Sequence, residues 1–299
     1  MRTPVALPIA CALLLVGAVA AVPAQQPSTA PAPPARDPRI PAIFVPPDPL
    51  DDTDHTGWTA LFDGSTLKGW DGNPEVWKVE NGAITAVSTA ERRIGSTHLV
   101  WQGGELADFE LMLEVKLDGD IHSGIAYRSQ IDLSRGAGGR AVQTTAAPAG
   151  GAPAPPAPAR GRGTPPQVPA NPKWTLYGPG LDYDYDRLMG GNVEDRGTDR
   201  RELAWRGSIV RAEAGKRPRV IGSLGDPTAL MELFKVDDWN QVHIVARGNQ
   251  LTHIVNGRVM TILIDDDPAF FKRAGLIGLQ IEQYGLGKVS VRNIWLKKM

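Results

Sequence analysis

"DFELMLEVKLDG", residues 108–119, alternates along its length: Phe109, Leu111, Leu113, Val115 and Leu117 share one face of an extended chain, while Glu110, Glu114, Lys116 and Asp118 take the other. A period of two predicts a half-buried strand. The same signal recurs on either side of turn residues. "VWKVENGAITAV" (76–87) and "LTHIVNGRVMTILI" (251–264) each set Asn-Gly between apolar runs, at Asn81-Gly82 and Asn256-Gly257, where positive φ suits a tight primed turn. Gly248-Asn249 adds a further hairpin, so Val242 to Ile264 reads as a three-stranded meander.

Near the C-terminus Val289 and Val291 keep one phase and Ile294 and Leu296 the other, which predicts a bulge at Arg292-Asn293. Helical signal is scarce: a capped short helix after Asp226-Pro227, and one turn at "DPAFFKRAG". Many short strands, few helices and no repeat period predict an antiparallel sandwich or barrel.

Composition bounds the partners. The chain has 299 residues with 32 Lys and Arg against 33 Asp and Glu, a formal charge of -1, so no broad field draws nucleic acid or an anionic membrane. Arg2 followed by the apolar run Ile9 to Val22 and the small-residue stretch "AVPAQQ" reads as a cleavable export signal over residues 1–24. An uncleaved anchor is the alternative, although the run is short for a span of ~20 residues. Cys11, the single cysteine, lies inside that signal, leaving the mature chain no disulfide and no thiol nucleophile; a lipid-anchored cysteine is a weaker alternative.

Residues 25–49 are rich in Pro and Ala and predict a disordered tether, followed by one domain over 50–299. A second Pro/Ala-rich stretch, 135–172, either separates two domains or is inserted in a loop of one. Too few strands precede it to close a core, which favours insertion.

Metal and nucleotide motifs are missing: no Gly-x-x-x-x-Gly-Lys-Ser/Thr loop, no His-Glu-x-x-His, no Cys-x-x-Cys, and five dispersed histidines. His243 and His253 sit on adjacent predicted strands, as ordinary side chains of the wetter face or as ligands. Three other places gather polar groups. "DIHSGIAYRS" carries Asp120, His122, Ser123 and Arg128 just before the long insertion, on a cleft border or a solvated edge.

"GLDYDYDR" places Asp182, Asp184 and Asp186 on one face and the tyrosines on the other, a row that raises a carboxyl pKa, recruits a divalent cation, or is an exposed acidic loop. "RGTDRRELAWRG" (196–207) rings Trp205 with charge, after Glu194 and Asp195. It is either a solvated turn or the wall of a sugar pocket, where forked hydrogen bonding beside an aromatic platform matches a ring of hydroxyls with apolar C–H faces. Acids nearly balance the arginines, which favours sugar over nucleic acid.

"GWTALFDGSTLKGW" (57–70), "WKVENGAI", "FELMLEVKLDGDIHSGIAYRS", "RRELAWRG", "VIGSLGD", "DDWNQVHIVARGNQLTHIVNG", "IGLQI" and "VSVRNIWLKK", in that order, resemble the 3-keto-disaccharide hydrolase domain family over about Thr56 to Lys298. The resemblance implies a concanavalin A-like jelly-roll β-sandwich, exported, acting on 3-keto glycosides or disaccharides by acid/base elimination or hydrolysis. Carried onto this chain it implies Asp184, Asp195 and Arg200 as catalytic groups, and His122, Arg128, Glu194, Trp205, Arg206, Gln280 and Glu282 as substrate contacts.

No cofactor is certain; a divalent cation at the Asp182 row is the one candidate. The chain departs from the family pattern at His122, at Asp199, Arg201 and Glu202, and at Glu282, where members carry His. The alternative function is a lectin-like carbohydrate-binding module without catalysis, and a third is a structural envelope protein. The catalytic expectation requires Asp184, Asp195 and Trp205 to face one hollow.

Overall fold

Residues 108–119 open β6 (Phe109–Ile131), one of the two longest strands, whose inward residues Phe109, Leu111, Leu113 and Val115 are at most 1% exposed. Each such aliphatic side chain contributes roughly 1.5–3 kcal/mol on burial. The computed structural model describes residues 51, 53–134, 168–184 and 190–299, all in the unit Asp51–Met299. The signal-like segment 1–24, the tether 25–49, insertion residues 135–167, and Tyr185 and Asp186 lie outside the described residues.

β6 pairs antiparallel with a second long strand, β15 (Leu276–Lys298), along both their lengths, with a register break between Ile281 and Gly285. Each long strand serves two layers. In the first, the order is β11 (Arg219–Ser223), β10 (Ser208–Glu213), β14 (Arg258–Asp266), β13 (Gln250–Val255), β12 (Asn240–Arg247), the first half of β6, the second half of β15, β4 (Ala83–Ser88) and β3 (Lys78–Glu80). β1 (Thr59–Ala60) also pairs with β15.

In the second layer the order is β9 (Arg201–Ala204), β8 (Val193–Arg196), β7 (Leu176–Asp184), the second half of β6, the first half of β15, β5 (Thr97–Trp101) and β2 (Trp70–Asp71). One hydrophobic core lies between the layers. The architecture is the all-β jelly-roll sandwich of the concanavalin A-like type. Among the described residues every strand ladder is antiparallel except β10 with β14.

The turns form where the sequence placed them. Asn81 and Gly82 have φ of 51° and 75°, Asn256 and Gly257 of 48° and 75°, so both hairpins close through left-handed pairs. The bulge falls between Arg292 and Trp295, with Asn293 at φ 51°. Asp226 caps the one α-helix among the described residues, α1 (Pro227–Met231), and a single turn follows Asp267.

Two expectations change. Of the two histidines only His243 lies on the outer face, where it pairs with Ile254 and bonds Glu110; His253 is not on the wetter face but points into the core, fully buried. The insertion ends earlier than its composition suggested, because Val168 bridges Ile94 and Pro172–Trp174 form a 3-10 turn capped by Asn171.

The layers are tied by buried polar contacts. Tyr127 Oη of β6 lies 2.7 Å from His253 Nε2 of β13, and His253 Nδ1 lies 3.2 Å from the Gly191 carbonyl. Thr261 Oγ1 donates to the same carbonyl at 2.7 Å. The Gly191 turn between β7 and β8 is thereby pinned to the opposite layer.

Candidate functional site

β8 is four residues long, and its period of two sorts its charges. Val193 and Asp195 turn toward the core, while Glu194 and Arg196 project from the outer face of the second layer. The neighbouring strands present Asp182 and Asp184 of β7, His122 and Gly124 of β6, Gln280 and Glu282 of β15, His98 of β5 and Glu202 of β9 on that same face. Leu181, Tyr183, Ile125, Leu279 and Ile281 occupy the alternate positions and fill the core.

Arg196 is the centre of this face. Its Nε bonds Glu194, its Nη2 lies 3.2 Å from Glu282 Oε1, and its Nη1 lies 3.4 Å from His98 Nε2. Asp182, Glu194 and Glu202 each bring a carboxylate oxygen within 4.8 Å of the others'. Crowding of like charge in a dry place sets the protonation. Burial pushes the Asp182 carboxyl well above the usual carboxylate range, with Glu282, Glu202 and Asp184 adding to the effect and Arg196 opposing it.

Glu202 is pushed up to about 7, by burial first and against the pull of Arg196. The face therefore sets a carboxyl that burial holds toward its protonated form, Asp182, beside one poised to exchange a proton near neutral pH, Glu202. His98 is driven down to about 3 by burial and by Arg196, so it stays neutral and serves as a fixed partner of the guanidinium. Its Nδ1 lies 3.3 Å from the Trp174 carbonyl, which ties the strand after the insertion to the site.

The floor beneath these side chains is backbone. A Cβ on Gly124 would stand 2.7 Å from Arg196 Nη2, 2.8 Å from the Leu181 carbonyl and 3.0 Å from Gln280 Oε1. Glycine here lets the guanidinium lie against the sheet. Gln280 is buried, and its Oε1 has no hydrogen-bond partner among the described residues. The Asn192 amide lowers the Glu202 pKa without reaching full hydrogen-bond geometry, and it is held there by Arg206 N–H donating to Asn192 Oδ1 at 2.8 Å.

Of the residues singled out in the sequence, Asp184, His122, Glu194, Gln280 and Glu282 share this face. His122 Nδ1 lies 3.9 Å from Asp184 Oδ2, and its ring meets Tyr284 edge-on. Asp195 and Arg200 are elsewhere: Asp195 is inward on β8 and bonds Arg200 Nε, while Arg200 reaches across to Asp265 of β14 and stacks 4.7 Å from the Phe270 ring.

Arg128 is fully buried and donates to the Ala107 and Gly248 carbonyls and to Asp108. Arg206 donates to the carbonyls of Pro227 and Gly190, stapling the β7–β8 turn. Trp205 projects from the turn between β9 and β10, 54% exposed. The single hollow expected for Asp184, Asp195 and Trp205 does not form, because Asp184 and Asp195 belong to opposite faces of one layer.

In the sequence Arg196 and Glu202 read only as charges ringing Trp205, Asp182 only as one of a row of carboxylates, and His98 as nothing in particular. A signal was present. "VEDR" and "RELA" alternate with period two, and reading 193–204 as strands instead of a charged turn separates Glu194, Arg196 and Glu202 from Asp195. His98 carried no such signal beyond its alternation with Leu99. The Asp182, Glu194 and Glu202 oxygens have spacing and hardness that suit a divalent cation as well as a shared proton.

A family model described as a 3-keto-alpha-glucoside-1,2-lyase-like domain matches residues 57–297. No curated protein matches. Among solved structures, a Parabacteroides distasonis protein provisionally described as a glycosyl hydrolase is similar at 16% identity, with 82% of this chain and 94% of that chain covered and a TM-score of 0.44. The carbohydrate binding module CBM66 from Bacillus subtilis is similar at 12% identity, covering 77% and 96%, with a TM-score of 0.42. A Bacillus subtilis protein with a galectin-like fold is similar at 10% identity, covering 83% and 92%, with a TM-score of 0.40.

Proposed function

The chain belongs to the 3-keto-alpha-glucoside-1,2-lyase-like domain family, and from that premise we propose that it cleaves 3-keto glycosides on the outer face of the second layer. The observation that carries the proposal is the group of buried and half-buried carboxylates around Arg196, two of them with raised pKa. A ketone at C3 acidifies the C2 proton, so a base tuned near neutrality is the group the chemistry needs.

Glu202 as carboxylate takes the C2 proton. The C–H electrons move into an enolate whose oxygen Arg196 stabilises, a contribution of about 3 kcal/mol for one well-placed donor. Collapse of the enolate breaks the C1–O bond, and protonated Asp182 gives its proton to the departing oxygen. The products are a 1,2-unsaturated 3-keto sugar and a free alcohol or sugar. Glu202 is left protonated and Asp182 ionised, and their proximity within the cluster lets the proton return. Water added across C1 and C2 then completes a net hydrolysis.

Incubation with a panel of 3-keto disaccharides in heavy water tests the scheme. Elimination followed by hydration places deuterium at C2 of the released 3-keto sugar; direct hydrolysis leaves C2 protiated. Glycan binding with no product release, from any 3-keto substrate, would replace the enzyme by a lectin-like module.

Export is part of the same proposal, on the strength of Arg2 and the apolar run to Val22. Among the described residues no helix is long and apolar enough to cross a membrane. The mass of the protein recovered from the producing cell's envelope or medium tests cleavage near Ala24.

A further inference from the structure

His98 is 1% exposed and faces the carboxylate cluster from β5, opposite Gln280 of β15. The proposed reaction gives it no proton to move. Its two ring nitrogens have different neighbours. Nε2 lies 3.4 Å from Arg196 Nη1, whereas Nδ1 lies 3.3 Å from the Trp174 carbonyl oxygen and 3.3 Å from the Leu176 amide nitrogen. A neutral imidazole carries one N–H and one lone pair, so these three neighbours cannot all be served at once.

The neighbours decide where the proton sits. Arg196 Nη1 is a donor and needs the lone pair on Nε2; the Trp174 carbonyl is an acceptor and needs the proton on Nδ1. One tautomer, Nδ1–H, serves both and leaves only the Leu176 N–H unserved. The other tautomer would aim an N–H at a guanidinium N–H in a buried place. Hydrogen bonds from a charged donor are roughly twice as strong as neutral ones, so Nδ1–H prevails. The carbonyl that selects it is itself fixed: Asn171 caps the Pro172–Trp174 turn, and Thr97 Oγ1 donates to the same oxygen at 3.4 Å.

Arg196 reaches His98 from β8, over the floor at Gly124. A guanidinium has five N–H groups. Here Nε–H goes to Glu194, one N–H of Nη2 to Glu282 and one N–H of Nη1 to His98. Among the described residues, one N–H on each Nη is then left over. That pair forms a fork able to grip a developing oxyanion with both prongs. A third carboxylate in the place of His98 would also anchor the fork, but it would cancel charge that an enolate needs. A neutral acceptor anchors it and leaves the charge in place.

Resting on the cleavage proposed above, we infer that His98, as its Nδ1–H tautomer, is a positioning residue that holds the Arg196 fork toward the enolate oxygen. His98 takes its own orientation from the Trp174 carbonyl. The strand entry at Pro172–Leu176 thereby reaches the reaction centre through one imidazole.

Two measurements test this, and the first needs no turnover. In protein labelled with 15N-histidine, the His98 signals, assigned by their absence in His98→Gln, are expected to show a protonated Nδ1 and a bare Nε2. In protein labelled with 15N-arginine, Arg196 is expected to give separate Nη signals, the mark of restricted rotation. Those signals should merge in His98→Leu and separate again in His98→Gln, whose amide oxygen reaches the Nε2 position. A protonated Nε2 overturns the assignment, and so do Arg196 signals that are merged in the wild type or stay separate in His98→Leu. The tautomer is read on the wild type, so it decides even where His98→Leu fails to fold.

The second measurement is kinetic, on a 3-keto glycoside. His98→Leu is expected to lower kcat by about tenfold or more with KM within about twofold, and His98→Gln to recover most of the loss. A loss that His98→Gln does not recover assigns His98 to packing and overturns its positioning role, with the cleavage intact. If the wild type cleaves no 3-keto glycoside, the cleavage itself fails, and the tautomer and the Arg196 rotation alone decide whether His98 holds the fork.

Discussion

Arg200 closes a two-pronged pair with Asp265, Nη1 to Oδ1 at 2.9 Å and Nη2 to Oδ2 at 2.8 Å, and so buckles the second layer of the sandwich to the first. The same guanidinium takes Asp195 through Nε at 2.8 Å, and all three groups are largely withdrawn from water. Burial pushes the Asp195 carboxyl up, the Arg200 charge opposing it, so ionised Asp195 depends on its partner. Removing one member strands buried charge, which destabilises by about 3–5 kcal/mol. Arg200→Ala is expected to lower the urea midpoint accordingly. Sugar binding measured below its melting temperature should survive, as a group outside the site allows.

Glu202 is expected to trade stability for chemistry. Its folded pKa, about 7, lies above the ordinary 4.5, so the folded state holds a proton that the unfolded chain releases earlier. Its stabilising share is complete below pH 4.5 and is lost as pH rises through 7. At roughly 1.4 kcal/mol per unit, about 3 kcal/mol is at stake by pH 8. Glu202→Gln keeps the shape without the charge. Thermal melts should show the variant gaining on the wild type from pH 5 to pH 8, while turnover falls by roughly 10²–10⁴ as expected for a lost general base. A margin over the wild type no larger at pH 8 than at pH 5 would show that Glu202 is solvated and ordinary.

His253 acts in the opposite direction. Burial drives it down to about 4 from 6.5, so the unfolded chain takes up a proton across that window that the folded one refuses. Stability is lost as pH falls from 6.5 toward 4. His253→Asn should flatten the acid side of the stability curve, measured by urea midpoints at half-unit pH steps, although it lowers stability at pH 7 through the lost Tyr127 and Gly191 contacts.

The architecture was legible because period-two alternation and Asn-Gly turns are local facts, and the core formed where Phe109 to Leu117 said it would. The site was legible only in part. Glu194 and Asp195 are adjacent in the chain and point to opposite sides of the layer, so composition places them together and the pleat separates them. Arg200 was expected to be catalytic from the family resemblance alone, and the structure uses its forked cation among carboxylates to buckle the layers instead. His98 meets Arg196 across 98 positions of sequence, a pairing that only the β5 to β15 to β6 to β7 to β8 ladder creates.

Four carboxylates, Asp182, Glu194, Glu202 and Glu282, surround Arg196, so the cluster carries excess negative charge whenever it is fully ionised. Protons relieve it at low pH; a divalent cation would relieve it at high pH. Adding manganese or calcium is expected to raise the melting temperature at pH 8 more than at pH 5, with Asp182→Asn abolishing the difference. Equal melting temperatures at both pH values, with and without a chelator, would leave protons alone to neutralise the cluster.

Gly124 gives the sharpest steric test. A methyl group there meets the Leu181 carbonyl at 2.8 Å, and that oxygen belongs to the paired backbone of β7 and cannot swing aside. The same methyl meets Arg196 Nη2 at 2.7 Å, at the end of a side chain that can. Gly124→Ala should therefore do two separable things. Strain against β7 is expected to lower stability by about 1–3 kcal/mol. Arg196 is expected to lift off the floor, loosening its contacts with Glu282 and His98, so that KM and kcat both worsen. Gly180→Ala is the control: a Cβ there stands 3.2 Å from the Ile125 carbonyl and 3.6 Å from Glu194 Oε1, and it leaves Arg196 in place. If Gly124→Ala loses stability but keeps wild-type kinetics, the guanidinium is not the group that meets the enolate oxygen.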